Sequence, residues 1–238
     1  MLSVPIQHQP DDTTCGPTCL HAVYKYYNNS IDLQNVIDQV HKLEDGGTLG
    51  VLLAIHALNS GYNATIYSYN LQVFDPTWKG SSSDQIIDKL NKQAAHKNNR
   101  KLNIASNAYI QFLNLGGRLR FEDLRSVIIR RYLKKNQPII AGLSATYLYQ
   151  SAREFGPELA FDDIKGEPTG HFVVLHGYDI QTREVYIADP LKKNPVSDGQ
   201  FYKMKIDRVI NAILLGIVTY DANLIILTPK NNDLCDTL

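Results

Sequence analysis

The sequence predicts an α+β fold in which a helical N-terminal half packs on an antiparallel β-sheet. Up to residue 135, apart from one alternating run at residues 63–69, apolar residues recur at three- and four-residue spacing. This is the period of a helix with one buried face. From residue 139 onward, short apolar runs are separated by turn residues, as in strands joined by tight connections.

The N-terminal half contains several helix patterns. The first begins at Cys15, because Gly16 and Pro17 follow it and proline is well tolerated in the first turn of a helix. Glycine pairs at residues 46–47 and 116–117 end two later patterns. The spacing predicts further helices over residues 31–43, 49–58, 84–97, 102–115 and 121–135, the second of them with Thr48 as its cap.

The C-terminal half supplies the predicted sheet. Its strands fall at residues 139–143, 171–178, 184–189, 201–204 and 224–227, with one helix over residues 207–215. The second and third of these strands flank a short polar turn and predict an antiparallel hairpin. The midpoint of positions 171 and 189 falls in that turn, so the hairpin brings His171 towards Asp189.

The stretch from residue 144 to residue 170 is predicted to be a long irregular loop. Long loops inside compact domains are commonly functional, which makes it a candidate substrate-contacting loop, and a surface insertion without a role is the alternative. We find no internal repeat and no clear linker. We therefore expect residues 1–238 to form a single domain with a helical and loop insertion around residues 70–168.

Composition narrows the possible functions. Lys plus Arg and Asp plus Glu number 24 each, so there is no basic surplus of the kind that nucleic acid binding requires. The longest apolar run, residues 212–218, is too short to span a bilayer, and no signal-peptide pattern opens the chain. Three cysteines do not form a disulfide framework. We expect a cytoplasmic protein with reduced thiols, no nucleic acid partner and no integral membrane segment.

The residues suited to catalysis form one set. Cys15 lies at a helix N-terminus, where the helix dipole and unpaired N–H groups favour a negative charge. His171, at the start of a strand, is the candidate general base, and Asp189, at the facing end of the hairpin, is the group that orients it. Gln9, six residues before the thiol, completes an oxyanion hole with the Cys15 N–H, and its spacing favours it over Gln7.

Three motifs resemble a known family. They are Gln-x5-Cys-Gly-Pro at residues 9–17, His-Phe-Val-Val-Leu-His-Gly-Tyr-Asp at residues 171–179 and Tyr-Ile-Ala-Asp-Pro at residues 186–190. Their order, spacing and flanks together resemble the C39 branch of the papain-like cysteine peptidases, in a stand-alone form without transporter domains. The resemblance implies a papain-like fold and the cleavage of a peptide or protein substrate.

The resemblance also implies roles for individual residues. In the family, the Gln, Cys, His and Asp of these motifs are the oxyanion donor, nucleophile, general base and orienting group. This carries the roles to Gln9, Cys15, His171 and Asp189. No cofactor and no metal ion is implied.

Several alternatives remain open at this level. An acyl-enzyme on Cys15 could be intercepted by an amine or a thiol, which would make the protein an acyltransferase or ligase. A catalytically inactive peptide-binding module is a third interpretation. A zinc site built from Cys15, Cys19 and His21 is disfavoured, because His21 lies elsewhere around the helix and no second pair of ligands is suitably spaced.

Overall fold

The computed structural model describes residues 1–43, 46–97 and 99–230. The helices of these residues are α1 (Cys15–Tyr26), α2 (Leu33–Gln39), α3 (Gly50–Asn59), α4 (Ser83–His96), α5 (Arg100–Asn114), α6 (Ser126–Lys134), α7 (Ala145–Tyr149) and α8 (Ile206–Leu215), with short 3₁₀ helices at Pro76–Trp78 and Gly216–Thr219. The strands are β1 (Tyr62–Ser68), β2 (Arg118–Arg120), β3 (Ile139–Ser144), β4 (Glu154–Phe155), β5 (Ala160–Phe161), β6 (Gly170–Asp179), β7 (Glu184–Ala188), β8 (Phe201–Lys205) and β9 (Asn223–Pro229).

One sheet organises the described residues. Its strand order is β2-β1-β9-β3-β6-β7-β8, and every neighbouring pair is antiparallel except β1 with β2. The strands β4 and β5 form a separate hairpin. The predicted α+β class, with helices packed on a largely antiparallel sheet, is confirmed.

Helices cover both faces of the sheet. Phe172 and Val174 of β6 pack in a core with residues of α1, α3, α4 and α5, whereas Val173 and Leu175 pack in a second core with residues of α6, α7 and α8. This alternation follows from the two-residue period of a strand. The sheet is therefore a buried central layer between two sets of helices.

Two helix bounds and one helix cap differ most from the prediction. The helix predicted over residues 31–43 ends at Gln39, because Val40 is extended and the Leu43 N–H donates to the Gly47 carbonyl at 3.1 Å. Thr48 does not cap α3, since its hydroxyl donates to the His41 carbonyl at 2.9 Å and Leu49 is at the N-cap. The helix predicted over residues 121–135 begins only at Ser126, after the chain has run extended beside β1.

The stretch predicted as irregular, residues 144–170, is partly ordered. It contains α7, which follows β3 directly, and the β4–β5 hairpin. The Ala145 N–H donates to the Thr169 carbonyl at 2.9 Å, and the Thr169 N–H donates to the Thr146 hydroxyl at 3.0 Å. These bonds join the two ends of the stretch at the start of β6.

Candidate active site

Cys15 is the first residue of α1 and is partly exposed. Its helix packs closely on the sheet, because a Cβ at Gly16 would lie 2.8 Å from Thr48 Cγ2 and 3.2 Å from Phe172 Cδ2. Only glycine fits there without displacing a neighbour. The first N–H groups of a helix have no intrahelical acceptor, and Pro17 has no N–H group at all. The close packing therefore places the thiol, with unpaired helix N–H groups beside it, next to the start of β6.

The turn before Cys15 is fixed by Asp11. Its carboxylate accepts hydrogen bonds from the Thr13 N–H at 2.8 Å and the Thr13 hydroxyl at 2.7 Å. Its carbonyl accepts a hydrogen bond from the hydroxyl of Thr14 at 3.0 Å. Although burial opposes the effect, these hydrogen bonds hold the pKa of Asp11 below its ordinary value. The residue preceding the thiol is thus held by local side chains that sequence analysis did not single out.

His171 and Asp189 form a buried pair. The hairpin aligns Val174 of β6 with Ala188 of β7, and a bulge between Leu175 and Gly177 shifts the register by one residue. His171 and Asp189 are therefore diagonal neighbours, within reach of a histidine side chain. The His171 Nε2 atom lies 3.0 Å from Asp189 Oδ1, and Asp189 is fully buried. The hairpin brings these two predicted residues together.

Asp189 accepts hydrogen bonds from three further donors. The hydroxyls of Tyr149 and Tyr202 donate to Oδ2 at 2.6 Å and 2.8 Å, and the Leu191 N–H donates to Oδ1 at 3.0 Å. Burial and the charge of Asp189 raise the pKa of both tyrosines, so they remain protonated donors. Neither tyrosine was predicted from the sequence, because their distances from Asp189 along the chain match no known motif.

The electrostatics of the site favour a charged histidine. Burial acts to lower the pKa of His171, but the charges of Asp189 and Cys15 and hydrogen bonds to both side chains raise it above its ordinary value. Burial acts to raise the pKa of Asp189, but the charge of His171 and the hydrogen bonds that the carboxylate accepts lower it. Because Nε2 is occupied by Asp189, Nδ1 is the ring nitrogen left for the Cys15 sulfur.

The sequence profile described as "Peptidase_C39 like family" matches residues 1–207. The chain belongs to this family.

Solved structures similar to this C39-like chain are distant from it. A protein named as a C39-like peptidase from Bacillus anthracis is 18% identical, with 96% of each chain covered and a TM-score of 0.47. A double-glycine motif protease from an AMS/PCAT transporter, in complex with the leader peptide, is 17% identical over 96% of this chain and 93% of its own, with a TM-score of 0.45. The peptidase domain of Streptococcus ComA, a bifunctional ABC transporter of a quorum-sensing pathway, is 15% identical over 95% and 98%, with a TM-score of 0.45. No curated protein matches the chain significantly.

Gln9 links the two halves of the site of this C39-like protein. Its N–H donates to the Pro190 carbonyl at 2.9 Å, and its side-chain Nε2 donates to the Asp11 carbonyl at 2.9 Å. The Gln200 side chain supports the same link by donating to the Gln7 and Asp189 carbonyls at 2.9 Å and 3.0 Å. One of the two Gln9 amide hydrogens is thus used within the turn before Cys15, and the second is left for another acceptor.

Cys19 lies one turn along α1 and is fully buried. Its thiol donates to the Phe172 carbonyl at 3.2 Å, and burial, then the charge of Cys15, raises its pKa well above the ordinary value. Both Cys15 and Cys19 are free thiols, and Cys235 lies outside the described residues. Cys19 therefore anchors the helix to β6.

In residues 1–43, 46–97 and 99–230, no group of three or more His, Cys, Asp or Glu side chains is placed to hold a metal ion. The helices of the same residues include none with the length and apolar character needed to cross a bilayer.

Proposed function

We propose that this C39-like protein is a cysteine peptidase or amidohydrolase that cleaves a peptide or amide bond. Cys15 is the nucleophile, His171 the general base and acid, Asp189 the orienting group, and Gln9 an oxyanion donor. The observation that carries the proposal is the 3.0 Å contact between the buried His171 and Asp189. Cys15 adds to it, since its charge is among the causes that raise the pKa of the same imidazole. We also propose that the chain is a single domain with an insertion around residues 70–168.

The first half of the reaction forms an acyl-enzyme. The thiolate of Cys15 attacks the carbonyl carbon, and the carbonyl electron pair moves to the oxygen. Unpaired N–H groups at the start of α1 and the second Gln9 amide hydrogen stabilise this oxyanion. When the C–N bond breaks, the leaving nitrogen takes the proton from His171 Nδ1, and the acyl group remains on Cys15 as a thioester.

The second half releases the acyl group. His171, now neutral, accepts a proton from water, and the resulting hydroxide attacks the thioester carbonyl. The carbon–sulfur bond breaks, the carboxylic acid product leaves, and the thiolate–imidazolium pair is restored. Throughout, Asp189 holds Nε2–H, so the ring presents the same nitrogen to the sulfur in both steps.

Alkylation of Cys15 tests the proposal without a known substrate. Because the imidazolium stabilises a thiolate, we expect stoichiometric iodoacetamide to label Cys15 below neutral pH much faster than it labels glutathione. In His171→Ala the labelling rate should fall to that of an ordinary thiol, with the labelled position read by peptide mapping. If Cys15 reacts no faster than glutathione, or keeps its rate in His171→Ala, the thiol is not activated by His171.

Peptide-amide libraries then separate the possible reactions. We expect free carboxylic acid products in water, and no products from Cys15→Ala. If the products are formed only when an amine acceptor is added, the protein is an acyltransferase that uses the same thioester. If no library member forms an acyl-enzyme although Cys15 is activated, an inactive peptide-binding module accounts better for the chain.

A further inference from the structure

A cavity lies between α6 and the end of β6 that is farther from His171. Its volume is about 290 Å³, and its lining includes Leu2, Arg130, Leu133, Lys134 and Tyr178. Because β6 runs from Gly170 to Asp179, this end of the strand lies roughly 20 Å from His171 at the rise of an extended chain. The cavity is therefore separate from the proposed active site.

Leucine side chains form one side of this cavity. The Leu2 N–H donates to the His176 carbonyl at 2.7 Å, and His176 Nδ1 donates to the Leu2 carbonyl at 2.8 Å, so Leu2 is held against β6. Leu2 packs on the core that contains the buried Leu133 of α6. Burial lowers the pKa of His176, so its ring adds no charge at neutral pH. Leu2 and Leu133 therefore give the cavity a fixed apolar side.

The charged side chains that line the cavity are both cationic. Arg130 and Lys134 are one turn apart on α6, and none of the described lining residues is acidic. The ion pairs formed within the described residues include neither side chain. Asp179, the next residue after Tyr178, uses Oδ1 to accept the N–H groups of Gln181 and Thr182. The described residues thus leave these two positive charges without a counter-charge in the cavity.

Two like charges at this spacing repel each other on a helix. The negative end of the helix dipole attracts a cation in the last turn, where Lys134 lies. The dipole acts only within that turn, so it does not account for Arg130. An anion between the two side chains would offset their repulsion.

The guanidinium of Arg130 has lost part of its hydration. Its Cζ atom lies over the Tyr178 ring, 5.4 Å from the ring centre. Its Nε atom is buried and finds no hydrogen-bond acceptor within the described residues. A buried donor of a charged group costs free energy when it is unpaired, and the attraction of a cation to an aromatic ring offsets only part of that cost. This partly dehydrated cation is therefore well suited to attract an anion.

We propose that this cavity binds a small carboxylate that carries an apolar group, such as the free carboxyl end of a peptide with an apolar last residue. The guanidinium of Arg130 is a planar fork of donors that matches a carboxylate, and Lys134 adds a second positive charge. The side formed by Leu2 and Leu133 favours an organic anion over inorganic phosphate, because it can bury an apolar group. The site is independent of the proposed peptidase function and is measured without it.

Titration with N-acetyl-leucine tests the site, because its neutral analogue N-acetyl-leucinamide lacks only the charge. We would follow the backbone amide NMR signals of Gly177 and Tyr178 in the nitrogen-15-labelled wild type. The acid should shift these signals in a saturable way, and the amide should bind roughly tenfold more weakly or worse, because it forms no charge-assisted hydrogen bond with Arg130. Inorganic phosphate, which has charge but no apolar group, should also bind roughly tenfold more weakly or worse than the acid.

Three substitutions locate the binding site on α6. Arg130→Gln should weaken the binding of N-acetyl-leucine by roughly tenfold or more, and Lys134→Gln should weaken it to a smaller extent. The matched control is Lys135→Gln, which removes the same charge from the next residue. Lys135 is exposed and is not among the described residues that line the cavity, so its loss should leave the affinity unchanged.

The comparison of acid and amide on the wild type decides the matter even if Arg130→Gln does not fold, as judged by circular dichroism. The inference is wrong if the acid shifts neither signal, or if the amide or phosphate binds as tightly as the acid. It is also wrong if a folded Arg130→Gln binds the acid like the wild type. Equal losses of affinity in Lys135→Gln and Lys134→Gln would likewise overturn it, because the general charge of α6 would then hold the anion.

Discussion

Deletion of the Tyr149 hydroxyl tests how the site holds its buried carboxylate. Tyr149→Phe removes the shortest hydrogen bond to Asp189, at 2.6 Å, and leaves Tyr202 at 2.8 Å on the same oxygen. A hydrogen bond to a charged group contributes about 1.5–3 kcal/mol, and we expect the free energy of unfolding at neutral pH to fall by about that amount. At 1.36 kcal/mol per pKa unit, the pKa of Asp189 should rise by about one to two units.

The sign of the pH dependence follows from the direction of the shift. The pKa of Asp189 is lower in the folded state, so its ionisation stabilises the fold above the pKa of the unfolded chain, and this contribution is lost as pH falls through the folded value. Tyr149→Phe should therefore lose stability on acidification at a higher pH than the wild type. Urea unfolding over a range of acidic pH values measures both effects.

A matched hydroxyl deletion provides the control. Tyr67 is also buried, but its hydroxyl bonds to the neutral hydroxyl of Tyr132 at 2.8 Å. We expect Tyr67→Phe to cost about 1 kcal/mol and to leave the alkylation of Cys15 unchanged. Because Tyr149 and Tyr202 both donate to Oδ2, the double variant Tyr149→Phe/Tyr202→Phe should lose more stability than the two single variants together. If Tyr149→Phe costs no more than Tyr67→Phe and leaves Cys15 alkylation unchanged, the tyrosines do not hold the charged Asp189.

Three further predictions concern packing, pH and the link between the two halves of the site. Gly16→Ala should lower the free energy of unfolding by about 1–3 kcal/mol and slow the alkylation of Cys15. Adding Thr48→Ser, which removes the clashing methyl group, should restore part of the stability and part of the alkylation rate. Equal stability of Gly16→Ala and the wild type in urea would contradict this packing. Because burial raises the pKa of Asp221 on folding, stability should fall as pH rises from about 4 to about 7, by at most roughly 4 kcal/mol, and Asp221→Asn should lack this fall. If the free energy of unfolding of Asp221→Asn changes between these pH values as that of the wild type does, this prediction is wrong. Gln200→Ala removes a donor to the Asp189 carbonyl and should cost about 0.5–1.5 kcal/mol in urea, and no measurable loss would mean that this link contributes nothing.

The sequence predicted those parts of the site that depend on local chemistry. Glycine and proline after Cys15 determine where the helix begins, and the short turn between β6 and β7 determines that His171 returns towards Asp189. Both inferences need only residues close together in the chain. The same is true of the α+β class, which follows from the change of apolar period near residue 139.

The groups that the sequence did not predict depend on distant contacts. Tyr149 lies in a stretch that the sequence predicts to be irregular. It reaches Asp189 because α7 directly follows the end of β3 in the chain. The strand β2 has three residues and is held by parallel pairing with β1, which no local pattern reveals. From the sequence alone, Asp221 is indistinguishable from an ordinary turn residue. Its position beside Gly170 follows only from the order of the strands in the sheet.

In the proposed reaction, Cys15 attacks an amide carbonyl with the help of His171. The most direct test is acid quenching of the protein during turnover of a peptide-amide library, followed by mass spectrometry of the Cys15 peptide. We expect an acyl thioester on Cys15 in the wild type and none in His171→Ala, with no cleavage by Cys15→Ala. Cleavage by Cys15→Ala at the wild-type rate would contradict it, as would a wild type that forms no thioester and alkylates Cys15 no faster than glutathione.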